Sequence, residues 1–532
     1  MAAMTAWRTK GAGGSWRTAL WVGAAALLAV AACGEPAATA PPQTIVACAA
    51  DGTCPGGAPC KAGLCQPPGT AAVDAAAGTG DGGATAGGSG SGDGTGGAGD
   101  GKPAQDTGAQ DAAAGPDAPV GACDPNLSGG PTPRGDVGGG FAAGRLAVLF
   151  GDDGPPIQCQ ANPKATTDAW LLDPCVGWKK LTGAAPPPRA RSASATDAAG
   201  GHVYVYGGRY RSAASSQTAC SGTAGCPVSE TCTGGKCQVG TKYTVYGDLW
   251  RLDVKAEAWT LLDEGKAPAP QPRSNTTLAR HPQDGALWVM GGNLSGDGLA
   301  FAPMNDTWRY DVPSGVWQKQ DTKGPLPAAR LFHSSTITAD GSALIVVGGG
   351  GVGAFQGPFY RDAWRLDLAS LTWSKLPAPA PQPMARIKAG LLAIPGQKKL
   401  LYFAGHDDGA VGNRNDLWWL DPVTGAWEVA RIGDLGAGND PDVPLKNPKA
   451  FCDFPPDFTD VDLDSPERRE AFLFDWDPKG QRAWLFGGKS DCGTLRDVWT
   501  LDPLKVQWTA VDDTTQGWSC VRYLKPCQTL CN

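Results

Sequence analysis

The chain has 532 residues, 42% of them hydrophobic and 18% charged, with a formal net charge of −7 at pH 7. That balance argues against nucleic acid as a partner, because such proteins carry a clustered basic excess. The only histidines are His202, His281, His333 and His406, too few and too scattered to read as one metal centre, whereas 17 cysteines point to disulfides and a non-reducing compartment.

The N-terminus carries Arg8, Lys10 and Arg17, then an apolar run from Ala19 to Val30 that is too short to span a bilayer well. The run ends Val30-Ala31-Ala32-Cys33. This stretch resembles the lipobox of bacterial lipoproteins, with valine where that family usually has leucine. The resemblance implies a signal peptide over residues 1–32, cleavage before Cys33, and acylation of the Cys33 sulfur and new amino group. An ordinary secretory peptide is the alternative, and either makes the chain an exported one. Gly34 is not an aspartate retention signal, so the resemblance implies an outer-membrane or cell-surface location. Membrane contact would run through the lipid alone, since no other segment is long and apolar enough to cross a bilayer.

With Cys33 set aside, sixteen cysteines remain, an even number. Cys48, Cys54, Cys60 and Cys65 share the spacing C-x5-C-x5-C-x4-C-Q with Cys220, Cys226, Cys232 and Cys237. Two disulfides in each cluster would staple a small module that has almost no apolar core. The spacing lacks the C-x2-C knuckle of zinc sites, and each cluster allows three connectivities. Residues 33–65 therefore read as an anchor segment and a first cysteine module. Residues 66–122 contain scarcely any large apolar side chain and should be disordered; as a flexible coil they reach roughly 40 Å, a tether between anchor and domain.

A repeat fills residues 123–508. Its clearest copy is DLWRLDVKAEAW, Asp248 to Trp259. Others begin at Asp306, Asp362, Asp416 and Asp497, and a copy one residue short begins at Asp168. Upstream of each lies an apolar run ending in Gly-Gly, such as VYVYGG at Val203 and LWVMGG at Leu287. Further upstream stands an arginine: Arg134, Arg189, Arg273, Arg330, Arg386 or Arg469. Each unit reads as four strands, with the arginine opening the first, Gly-Gly closing the second, and the two tryptophans on the third and fourth. A lone four-stranded sheet cannot bury both faces, so the six units must stack around a ring.

The doubled glycine followed by spaced aromatics resembles the kelch repeat, and the resemblance covers most of the chain. It implies an all-β fold, a six-bladed β-propeller like the central domain of galactose oxidase. The doubled glycine is lost in AVLFGD at Ala147 and LYFAG at Leu401, so irregularity is expected in blades 1 and 5. One insertion, residues 209–246, falls inside blade 2 and holds the second cysteine cluster. Another, 428–465, joins blades 5 and 6 and carries Cys452, and a cysteine-rich tail occupies 509–532. In an antiparallel blade the second-to-third and fourth-to-first connections leave on one face, so all these additions gather there. Cys452 and Cys492 are then a candidate pair, and Cys175, in a third-to-fourth turn, should not reach the tail.

Twelve of the 20 tryptophans are locked to the repeat and read as blade core rather than sugar platforms; the repeat arginines and aspartates read as structural links. Asp152-Asp153 and Asp407-Asp408 could ligate calcium, though solvated turns are the simpler reading. No catalytic motif is present: there is no G-x-S-x-G, H-E-x-x-H or Walker loop. The loop-rich face carries aromatics the repeat does not require, Tyr210, Phe301, Phe355, Phe359 and Tyr360, which make it the candidate ligand face. No catalytic residue, cofactor or metal is assigned. The expected function is a protein- or glycan-binding module anchored at a bacterial envelope; the alternatives are a carbohydrate-active enzyme, oxidase- or mutarotase-like, and a structural envelope protein. Cys33→Ser should abolish lipidation and shift the chain out of the detergent phase in partitioning. Equal partitioning of variant and wild type would rule out the lipobox.

Overall fold

The computed structural model describes residues 127–153, 164–298, 300–407, 412–434, 462, 464–490 and 493–512, with the backbone of 60–61 and 64–65. The signal stretch, Cys33, the linker, Cys452, Cys492 and the tail cysteines lie outside the described residues.

Six antiparallel blades follow one another, each with four main strands paired in chain order; short strands intervene in blades 1 and 2, and Arg386–Ile387 adds a fifth to blade 5. Blade 1 is Gly138–Ala142, Arg145–Leu149, Ala169–Asp173 and Gly177–Lys180. Blade 2 is Ala193–Asp197, His202–Tyr206, Leu249–Asp253 and Ala258–Asp263. Blade 3 is Thr277–Arg280, Leu287–Asn293, Pro303–Asp311 and Val316–Lys319. Blade 4 is Ser334–Ile337, Ala343–Val347, Ala363–Asp367 and Thr372–Lys375. Blade 5 is Gly390–Ala393, Leu400–Asp407, Asn413–Leu420 and Trp427–Arg431, and blade 6 is Leu473–Asp477, Arg482–Ser490, Gly493–Asp502 and Gln507–Asp512. The first strands line a central channel, each beside its neighbours, with blade 6 against blade 1. Among the described residues no strand is exchanged to close the ring. Packing closes it: Phe141 stacks on Trp484 with centroids 5.2 Å apart, and the Phe141 N–H donates to Asp475 at 2.7 Å.

A separate apolar cluster fills each of the six blade interfaces. The second tryptophan of each repeat keys into the blade before it. Trp259 meets Phe150, Trp317 meets Tyr206, Trp508 meets Phe403 and Trp178 meets Phe486, at centroid distances of 5.7, 5.5, 4.8 and 5.8 Å. Trp373 packs with Trp288 and Met290, and Trp427 with Val347. These are core positions in every copy.

The polar half of the repeat is equally structural. All six arginines are at most 1% exposed. Each grips the aspartate that opens the repeat motif, at 2.5 to 2.8 Å. Its Nη1 also donates to the carbonyl at the first glycine position of its own blade. The first tryptophan donates Nε1–H to the same aspartate, at 2.7 to 2.9 Å. The second aspartate of the motif accepts backbone N–H bonds in the third-to-fourth turn, as Asp253 does from Lys255 and Ala256 at 2.9 Å. Each residue of D-x-W-x-x-D thus has a local task, repeated six times.

Three expectations are corrected. The arginine does not open the channel-lining first strand: it stands four residues before it, as Arg189 does before Ala193, and only in blades 1 and 5 does it open a separate two-residue strand, Arg134–Gly135 and Arg386–Ile387. Blades 1 and 5 are regular at the lost glycine. Phe150 and Ala404 adopt φ of 56°, beside 60–64° for Gly207, Gly291, Gly348 and Gly487, so tertiary hydrogen bonds hold a side-chain-bearing residue in the left-handed region at about 1–2 kcal/mol of strain. The second insertion begins later than residue 428, since the last strand of blade 5 runs on to Arg431.

The Arg–Asp links set two expectations. Arg330→Ala leaves Asp362 partly buried without its cation and should cost about 3–5 kcal/mol in denaturant unfolding; a loss below about 1 kcal/mol would refute the role given to it. Burial by itself raises the Asp168 carboxyl, but Arg134, with Trp170 and Thr166, outweighs it and holds the group at about 2. Asp306, Asp362 and Asp416 are lowered in the same sense. A depressed carboxyl stabilises above its unfolded value and loses that contribution as pH falls. Stability should therefore drop progressively from about pH 4 towards pH 2, and an unfolding midpoint flat across that window would count against the ion pairs.

Candidate interaction face

The residue two after each repeat arginine has a positive φ: Asp136 52°, Arg191 60°, Asn275 57°, Phe332 59°, Lys388 53° and Ala471 54°. Left-handed backbone aims each N–H and C=O around the ring instead of along the blade. The result is a closed circle of six hydrogen bonds at the channel mouth. Asp136 donates to Ala471, Arg191 to Asp136, Asn275 to Arg191, Phe332 to Asn275, Lys388 to Phe332 and Ala471 to Lys388, at 2.8 to 3.3 Å. Just outside it, the second glycine of a blade donates its N–H to the arginine carbonyl of the next, as Gly208 does to Arg273 and Gly349 to Arg386, both at 2.9 Å. The mouth opens on the face that bears the long connections.

The backbone of this circle is sixfold, but its side chains are all different. Lys388 Nζ lies 3.0 Å from Asp136 and 3.5 Å from Glu470, and Arg191 Nε lies 3.4 Å from Asp136. Lys489 pairs with Asp136 and, at 3.3 Å, with Asp152. Burial works against the Asp136 charge, yet Lys388, Lys489 and Arg191 together hold its carboxyl well below the usual range. Burial lowers the Lys388 amine, with Asp136 and Glu470 opposing. The Lys388 ammonium also faces the rings of Phe332 and Phe355, at 5.1 and 4.8 Å. Below the mouth the channel encloses a cavity of about 320 Å³ lined largely by small and hydroxyl side chains, with Asp475 accepting from Thr196 Oγ1 at 2.7 Å. Burial raises the Asp475 carboxyl.

The aromatics singled out in the sequence lie on this face but not in one patch. Phe301 and Phe355 pack with Phe332 in a cluster that includes the buried Phe359. Tyr360 lies over Arg330, 4.6 Å from the guanidinium, and its hydroxyl donates to the Ala329 carbonyl. Tyr210 stands apart, in the root of the blade 2 insertion. There Arg209–Tyr210 pairs with Thr244–Val245, and the hairpin beyond is stapled by Cys220–Cys232 and Cys226–Cys237. This is a first-to-third, second-to-fourth connectivity. Cys60 faces Cys65 across a short ladder as Cys232 faces Cys237, so the two clusters share a hairpin register as well as a spacing. Cys175 is disulfide-bonded, to a partner outside the described residues.

The histidines are dispersed. His202 begins a second strand, and His281 binds Gly341 on the short-turn side. His333 meets Thr277 near the mouth, and His406 pairs with Asn413 in blade 5. Burial, with Arg330 adding to it, drops His333 to about 3 and keeps it neutral. Asp407 is held by Arg414 at 2.7 Å, and Asp152 by Lys489. The residues that sequence reasoning missed are Asp136, Arg191, Lys388, Glu470 and Lys489 at the mouth, and Arg209, Arg211 and Tyr243 beside it. The sequence carried no signal for the first three: aligned on the repeat arginine, their column varies, but so do the columns on either side of it.

Comparison with known proteins agrees with this architecture. Residues 230–435 match the model of the KLHDC2/KLHL20/DRC7 Kelch-repeats domain. Kelch domain-containing protein 10 of Xenopus tropicalis is 29% identical over 156 residues, 27% of this chain and 34% of that protein. Its human counterpart is 26% identical over 201 residues, 35% of this chain and 42% of that protein. The dynein alpha chain of the Chlamydomonas reinhardtii flagellar outer arm is 26% identical over 329 residues, 58% of this chain but 6% of that protein. The match thus spans about a third to two fifths of the kelch relatives' own length. Repeat, blade geometry and comparisons together make this a kelch-repeat domain folded as a six-bladed β-propeller.

Proposed function

We propose that the propeller is a protein-interaction module that takes its partner on the long-loop face, around the channel mouth, and that a lipid on Cys33 holds it at a bacterial envelope. The observation that carries the first part is the mouth itself. Six backbone-equivalent positions carry aspartate, arginine, asparagine, phenylalanine, lysine and alanine, so a symmetric scaffold becomes chemically asymmetric at the mouth, with Asp136, Asn275 and Phe332 buried just beneath the loops of that face. Function on such scaffolds resides in sites grafted onto the fold, and kelch propellers typically serve as protein-interaction modules. The blade 2 insertion and the blade 4 loop add exposed surface to the same face, with Val352 75% exposed. Support for the anchor comes from the sequence around Cys33 alone.

A photocrosslinking residue at Val352 on the long-loop face, compared with one at Val423 on the short-turn face, tests the reading. Protein adducts are expected at Val352 and not at Val423. Replacing residues 212–240 with a short turn, which keeps the Arg209–Tyr210 root, should leave the melting temperature of the propeller nearly unchanged and reduce the Val352 adduct. Adducts confined to Val423, or a glycan as the crosslinked species, would overturn the assignment.

A further inference from the structure

Between the root of the blade 2 insertion and blade 1 lies a cavity of about 100 Å³. Arg191, Arg209 and Arg211 line it with Tyr243, and Asp152 is the one carboxylate among its lining residues. Asp152 is already paired with Lys489 at 3.3 Å. Arg191 uses Nε on Asp136, while its Nη1 is buried with no hydrogen-bond partner among the described residues. Arg209 donates to the Gly298 carbonyl, and its guanidinium lies 4.0 Å from the centre of the Tyr243 ring. The Arg211 guanidinium lies 5.3 Å from the same ring. Arg211 has no ion pair among the described residues.

Three guanidinium groups therefore line one cavity whose single carboxylate, Asp152, is shared with Lys489. Arg191 has Asp136 beside it on the far side, whereas Arg209 and Arg211 have no carboxylate partner among the described residues. Burial, reinforced by the neighbouring charge of Arg191, lowers Arg209 to about 10. A buried donor without an acceptor is costly to keep, and two cations on one ring favour a site that an anion completes. The kind of anion follows from the geometry. A carboxylate has two oxygens in one plane and matches a single guanidinium fork. Three guanidinium groups from two chain segments call for acceptors in several directions and for more than one negative charge. The cavity is also well below the roughly 300 Å³ of a drug-sized pocket, so it holds one small group.

We propose that Arg191, Arg209 and Arg211 form an oxyanion subsite that takes a single phosphate or sulfate group, free or as the ester of a larger molecule. It lies on the face assigned to the partner, but its test needs no partner, so its failure leaves the crosslinking result intact. Calorimetric titration of the full chain uses inorganic phosphate, sulfate, methyl phosphate and acetate. Saturable binding of phosphate and sulfate is expected, with acetate at least about ten-fold weaker. Methyl phosphate binding as well as phosphate identifies an ester ligand; weaker methyl phosphate binding identifies the free anion, and either supports the subsite. Arg211→Gln should weaken phosphate binding about ten-fold or more, with the unliganded melting temperature unchanged. Lys255→Gln, on the short-turn face, should leave the affinity as it was. No saturable binding, acetate binding as well as phosphate, or full affinity in Arg211→Gln would overturn the proposal.

Discussion

A guanidinium cannot be removed from water without a counter-charge and acceptors for its donors, and this chain does so six times. Each repeat arginine is fully buried, so each copy must supply an aspartate opposite it and a carbonyl for Nη1. The aspartate in turn is fixed by the indole N–H two residues on. That indole sets the third strand's registration, and the left-handed residue at the first glycine position places the carbonyl. Much of the repeat motif follows from satisfying one buried cation. The pairs are local to a blade, while cohesion between blades comes from the second tryptophan and from the glycine-to-arginine backbone bonds. The repeat therefore divides its polar and apolar residues between two jobs, internal registration and lateral packing.

The closed circle of six backbone bonds adds to the Phe141–Trp484 packing in joining blade 6 to blade 1. Each blade contributes one N–H and one C=O, so the last blade meets the first through the same bond that joins all the others. The circle also fixes where the side chains at its six positions are rooted, at the mouth of the channel. Because the backbone bond does not depend on the side chain, the position tolerates aspartate, phenylalanine or lysine. Freedom of composition at a geometrically fixed point is what a binding surface requires. At this mouth it has produced a buried charge network whose members need one another, since removal of Asp136 would leave Lys388, Lys489 and Arg191 facing each other.

The blades, their number and their order were legible in the sequence because the tryptophans and arginines recur at fixed spacing. The core role of the tryptophans followed from the same recurrence. What could not be read was anything decided by contacts between repeats. Phe150 and Ala404 look like broken glycines in a linear text, yet their carbonyls are held by the buried arginine of their own blade and the glycine after each bonds to the next blade. The disulfide connectivity of the blade 2 hairpin was one of three, and the structure joins first to third and second to fourth although Cys232 and Cys237 face each other across the ladder. The loop aromatics were visible as extras, but their packing partner Phe332 was hidden because it stands inside the repeat, where a varied residue looks like noise.

The arginine pocket shows why such sites escape a linear reading. Arg191 belongs to the mouth circle, Arg209 to the first arm of the insertion root, and Tyr243 to its second arm, more than thirty residues later. The disulfide-stapled hairpin separates those arms in sequence while the short ladder of Arg209–Tyr210 with Thr244–Val245 brings them together. The Tyr243 N–H donates to Asp297 at 2.8 Å and Arg209 to Gly298, so the root is also tied to the blade 3 loop. Two cations are thereby held against one aromatic ring by backbone bonds on both sides. A flexible loop would relieve their repulsion by moving one away. A doubly tethered root cannot do so as freely, and the repulsion it retains is what an anion would relieve.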